Sequence, residues 1–114
     1  MPSKYLFIAS MDVDAANEAL FHEVYDREHC PELGRVPGVG EIARFETQPF
    51  QVLIGGETRT VTPEGPRFHA MYEVESPEIL TSAAWSEAVE SGRWPEQVRP
   101  FTANRRHSLL RLIH

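Results

Sequence analysis

Residues 25–33 read YDREHCPEL, and they gather a phenol, acids, an arginine, an imidazole and a thiol ahead of a proline. A solvated helix face needs no such collection. Phe21, Tyr25 and His29 fall at i, i+4 and i+8, so on a helix His29 continues an apolar stripe. A histidine there is partly desolvated, and its ordinary pKa near 6.5 suits proton transfer at neutral pH. Asp26, three residues earlier, is placed to accept from one ring nitrogen, which would fix the tautomer and raise the basicity of the other. The alternative is a histidine that caps carbonyls at a helix C-terminus and meets its dipole. Glu28 and Glu32 are expected to be solvated or paired with Arg27 and Arg35.

A second reading of this stretch is a metal. His22, Asp26 and His29 at i, i+4 and i+7 run along one helix edge, with Glu18 a possible fourth ligand. His22 lies off the apolar stripe, and a solvated polar face explains these residues better, so no cofactor or metal is expected. Cys30 next to His29 is a poor nucleophile candidate, because adjacent helical residues diverge, and a small buried residue fits it better.

A third cluster falls on strands. Arg44, His69, Arg105 and His107 interrupt otherwise alternating or apolar runs. Any that faces a pocket could clamp an oxyanion or shuttle a proton; otherwise they face solvent or a dimer rim. Tyr5 and Tyr72 read as core aromatics with satisfied hydroxyls. Trp85 and Trp94 read as packing or pocket walls, with Trp94-Pro95 at a pocket mouth.

The elements that must position these residues follow from periodicity. Residues 4–10 form an apolar, aromatic and β-branched run, a buried strand. Asp12 or Asp14 can cap a helix over residues 15–33, which Pro31 should end or kink. VPGVG at 36–40 is a turn and 41–47 a strand. Residues 51–61 form a hairpin around Gly55-Gly56, within a 50–66 segment that reads as an insertion. In 67–75, Phe68, Ala70, Tyr72 and Val74 alternate with Arg67, His69, Met71 and Glu73. Ser76 and Pro77 are expected to start a second helix that Gly92 ends, and 101–113 is a last strand.

The order β-α-β-(hairpin)-β-α-β is the α+β ferredoxin-like arrangement, and it spans residues 1–114 as a single domain. Such a sheet carries both helices on one face. A second copy could cover the other, so a homodimer is expected. The 114 residues, 41% hydrophobic and 25% charged, describe an ordinary globular chain. A net charge of -6 argues against a phosphate-backbone partner. One cysteine precludes an intrachain disulfide and suits a reducing cytoplasm. The N-terminal stretch is too short and too quickly polar for a signal peptide, and no apolar run approaches the roughly 20 residues that span a bilayer.

The run FHEVYDREHCPEL followed by VPGVGEIARF and later YEVESPEIL resembles the EthD-like branch of the dimeric α/β-barrel superfamily. The matching positions are Tyr25, Asp26, Glu28, His29, Pro31 and Glu32, then Val36-Pro37-Gly38, then Arg44-Phe45. Val24 and Cys30 depart from that branch's usual residues. The resemblance implies paired ferredoxin-like protomers, each with a pocket between sheet and helices. It also implies a choice among cofactor-free oxygenases, isomerases, cyclases, lyases and heme-handling proteins. The leading expectation is a cofactor-independent lyase or isomerase on a small aromatic, polyketide-like or lactone substrate. His29 would be its acid–base, oriented by Asp26, with Tyr25 and Arg44 or Arg105 at the oxyanion. The alternatives are a cofactor-free monooxygenase of electron-rich phenols and a non-enzymatic small-ligand or heme-binding module.

Overall fold

The computed structural model describes residues 4–114; residues 1–3 of the N-terminal stretch lie outside them. Strands β1 (Tyr5–Val13), β2 (Val39–Glu46), β5 (Phe68–Val74) and β6 (Thr102–Arg111) form one sheet in the order β2-β5-β1-β6, antiparallel throughout. Strands β3 (Phe50–Ile54) and β4 (Glu57–Val61) form a separate two-stranded hairpin. The helical layer comprises α1 (Glu18–Val24), α2 (Cys30–Gly34) and α3 (Ala83–Val89). This is the ferredoxin-like α+β fold that the element order predicts. No helix among the described residues is long and apolar enough to cross a membrane.

The period-2 pattern sets the core. Phe68, Ala70, Tyr72 and Val74 are all buried on the helix-facing side of β5, opposite Ala9 and Met11 of β1. Phe21, Val24 and Leu33 pack onto them from α1 and α2, each at most 1% exposed. The other side of the sheet carries Leu6, Ala43, Phe45, Met71 and Glu73 around a shallow groove of about 540 Å³.

Of three local expectations, two resolve between their alternatives and one, the Ser76 cap, needs correction. The first helix does not end at Pro31. A single wide turn over Tyr25–His29, in which the Cys30 N–H bonds the Tyr25 carbonyl, precedes α2. It lies just ahead of Pro31, where an ordinary turn would press the ring against the carbonyl four residues back. Ser76 makes no side-chain cap; Pro77–Thr81 is a short 3₁₀ turn, and Ser82 caps α3 by accepting from the Trp85 N–H at 3.2 Å. Of the two candidate caps for the first helical stretch, Asp14 serves, accepting from the Asn17 N–H at 3.0 Å. Asp12 instead accepts from the Arg67 N–H at 2.7 Å and the Asn104 side chain at 2.7 Å.

Candidate active site

A cavity of about 120 Å³ lies between the sheet and the helical layer. Its floor is β1, where Phe7, Ala9 and Met11 point up at alternate positions. The wide turn supplies Tyr25 and His29, and β5 supplies Tyr72. Trp85 of α3 and Trp94 close the sides, and Arg105 and His107 of the exposed edge strand β6 stand at the mouth. The size is close to that of a cavity that holds a single benzene ring.

His29 is 6% exposed, its ring stacked on the Trp94 indole at 4.4 Å between centroids. Tyr25 meets it edge-on at 5.1 Å. His29 Nδ1 is buried and has no hydrogen-bond partner among the described residues. Burial pushes the imidazole pKa down to about 4, and the charges of Arg99 and Arg105 push the same way. The ring is therefore neutral at pH 7. Burial likewise pushes the Tyr25 phenol up to about 12, so it stays protonated. The Tyr72 hydroxyl donates to it at 3.4 Å, which leaves the Tyr25 proton free to donate. His107 stacks on Phe7 at 5.8 Å, and burial and then Arg105 hold its pKa below the usual histidine value.

The structure brings Tyr25, His29, Tyr72, Trp85, Trp94, Arg105 and His107 together around this cavity. It does not bring in Asp26, Arg44 or His69. The Asp26 carboxylate accepts from Arg44 Nη1 at 2.7 Å and is not the partner of His29. Arg44 reaches from β2 over the Tyr25 ring, 4.6 Å from its centroid, and its Nη2 also donates to His22 Nδ1 at 2.9 Å. Two of its donors, Nη1 and Nη2, are thus occupied by Asp26 and His22. That guanidinium also separates His22 from Asp26, so the helix-edge triad His22, Asp26, His29 is not assembled. Among the described residues, no three His, Cys, Asp or Glu side chains are grouped as a metal would require.

His69 lies on the opposite side of the sheet, as the alternation of β5 demands. Thr47 donates to the Pro66 carbonyl at 3.0 Å and so accepts from His69 Nε2. That leaves His69 Nδ1 to accept from the Ser10 hydroxyl at 2.7 Å. The cavity residues not singled out from sequence are mainly Phe7, Ala9 and Met11. Their signal was the β1 alternation, which runs three residues beyond the apolar stretch that first marks the strand.

Glu28 fixes the loop that carries Trp94, contrary to the expected pairing with Arg27. Its Oε1 accepts from the Arg93 N–H at 2.9 Å and its Oε2 from Arg93 Nε at 2.6 Å. Gly92, at φ +67°, makes room; a Cβ there would sit 2.7 Å from Glu28 Oε1. Gly92→Ala is expected to lower stability by about 1–3 kcal/mol in a thermal melt and to redshift Trp94 fluorescence as the loop lifts.

No family model matches the chain, and no curated protein matches its sequence. Solved structures do resemble it. A point variant of SnoaB, a cofactor-independent oxygenase from Streptomyces nogalater, superposes with a TM-score of 0.60 at 13% identity, covering 98% of this chain and 95% of that one. The heme-degrader MhuD from Mycobacterium tuberculosis, with two hemes bound in its active site, superposes with a TM-score of 0.51 at 16% identity, covering 96% of each chain. Both are ferredoxin-like proteins of the dimeric α/β-barrel superfamily. At such identities the likeness shows the fold alone.

Proposed function

We propose that this chain is a cofactor-independent oxygenase of small, electron-rich phenols. The observation that carries the reading is His29 Nδ1, a buried ring nitrogen without a partner among the described residues, on a residue that lines an aromatic-walled cavity. In the tautomer protonated at Nε2 this nitrogen calls for a donor, and a ligand hydroxyl would supply one. The walls of Phe7, Tyr72, Trp85 and Trp94 suit a flat ring, and the Arg105 guanidinium favours its anion.

The phenol proton would pass to His29 Nδ1, and Arg105 and the Tyr25 hydroxyl would hold the phenolate. The electron-rich ring carbon then attacks dioxygen, and loss of water leaves a quinone. One phenol and one dioxygen give one quinone and one water, so the substrate supplies all the electrons.

This reading displaces the lyase or isomerase expectation. Abstracting a C–H proton asks for a base poised near neutral pH with an orienting carboxylate. His29 sits at about 4, and Asp26 is bonded to Arg44. An O–H proton is far more acidic than a C–H proton and asks less of a weak base. The similarity to SnoaB supports the oxygenase choice. A heme, the ligand of MhuD, would need this cavity of about 120 Å³ to open widely.

The working unit in this proposal is a homodimer closed over the open sheet face, where Phe45 is 53% and Leu110 50% exposed. An oxygen electrode tests the activity. With naphthols and hydroquinones and no added cofactor, one dioxygen should be consumed per quinone formed. Equal turnover under argon would return the assignment to a lyase or isomerase. A Soret band on heme titration with no oxygen uptake would point to a binding module.

A further inference from the structure

The hairpin at residues 50–61 has no substantial packing against the rest of the described chain; β3 and β4 pack on each other. The radius of gyration is 15.8 Å, against about 13 Å for a compact domain of this length, so the chain has a projecting piece. An isolated two-stranded hairpin is marginal in water. This one nevertheless places Phe50, Val52 and Ile54 on one face, 53%, 37% and 54% exposed. An apolar row of this kind needs a cover. Arg59, the hairpin's one basic residue, lies directly opposite Val52 on that face. Among the described residues of its own chain, the one ion pair it makes is with Glu57, at 3.8 Å and exposed.

A second observation lies on the open sheet face. Glu73 is 6% exposed there, and its Oε2 is buried without a partner among the described residues. It lines the groove with Leu6, Glu41, Phe45 and Met71. A buried carboxylate left this way is costly unless a cation or donor reaches it. The groove itself adds Glu41, a second acid, so the missing charge is positive.

The strand register relates the two features. Glu73 pairs with Leu6 at one end of the sheet, whereas the hairpin leaves β2 beyond Glu46, which pairs with Phe68 at the other end. Two sheet faces related by a two-fold axis across the strands run antiparallel. The hairpin root of one copy then lies over the Glu73 end of the other. We propose that the hairpin is a dimer arm that lays its Phe50, Val52 and Ile54 face on a second copy and delivers Arg59 to Glu73 of the partner subunit. This rests on the homodimer reading above but not on the oxygenase chemistry.

Analytical ultracentrifugation of the full chain tests it. The wild type is expected to be a dimer. The double variant Val52→Lys, Ile54→Lys should weaken association about a hundredfold with an unchanged circular dichroism melt at monomer concentrations, since the arm does not support the body. Arg59→Gln and Glu73→Gln should each weaken it about thirtyfold, and together no further than either alone. A wild-type dimer indifferent to the lysine pair would overturn the arm while leaving the sheet-face dimer standing. A wild-type monomer would overturn both. If Glu73→Gln raises the melting temperature without changing association, the carboxylate is unpaired in the dimer and the Arg59 contact is wrong.

Discussion

Replacing His29 by phenylalanine is expected to cut turnover about 10²–10⁴-fold and to flatten the acid limb of the stability curve. Phenylalanine keeps the stack on Trp94 and removes a buried ring nitrogen that lacks a partner among the described residues. The stability effect follows from linkage. The imidazole titrates near 6.5 in the unfolded chain and is pushed down to about 4 in the folded one, chiefly by burial. Between those values the unfolded chain binds a proton that the folded chain refuses. The stabilisation is fully present above pH 6.5 and is lost as pH falls toward 4, and it is on the order of 3 kcal/mol. His107 shifts in the same direction and contributes to the same slope. Glu28 and Glu90, held below 4.5 by Arg93 and Arg99, titrate lower, so the range from 6.5 to 4.5 isolates the histidines. Urea unfolding at pH 7.0, 5.5 and 4.5 reads the effect. A variant that retains the wild-type slope would show that His29 is not held neutral by the fold, and the proposed proton transfer would lose its basis. In the wild type, kcat/KM should stay level down to about pH 5 and fall only as His29 protonates.

The strands and their faces were legible in the sequence because alternation is a local signal. The pattern of 67–75 already set His69 opposite Tyr72, so both could not line one cavity, and the structure keeps them on opposite faces. The helical stripe of Phe21, Tyr25 and His29 was equally legible, and all three are buried. Asp26 was not. Its three-residue spacing to His29 implies adjacency only in an ordinary helical turn, and the wide turn over Tyr25–His29 alters that register. Its actual partner, Arg44, is 18 residues away on a strand, and nothing in the local sequence encodes that meeting. The same holds for Glu28 and Arg93, 65 residues apart, whose contact anchors the start of the helical turn over Trp94–Val98 and so sets Trp94 as a cavity wall. Local chemistry named the residues; long-range ion pairs decided which of them share a site.

Trp94→Ala is expected to cost about 3–5 kcal/mol, a large part of the stability of a domain this size. The indole is 2% exposed, and it stacks on His29, meets Tyr25 edge-on at 5.0 Å and touches Phe21 at 6.2 Å between centroids. The same change carries a second, more diagnostic effect. Because burial is the main cause of the low His29 pKa, opening this wall to water should let it climb from about 4 back toward 6.5. An NMR titration of the imidazole Cε1–H would follow it, and Trp94→Phe, which retains a ring in the stack, should give a milder loss and a smaller climb. The alternative outcome is equally informative. A folded Trp94→Ala protein whose His29 still titrates near 4 would transfer the effect to the Arg99 and Arg105 charges. Arg105→Gln would then be the substitution that raises it, and the cavity would be governed by its cationic mouth and not by its dry wall.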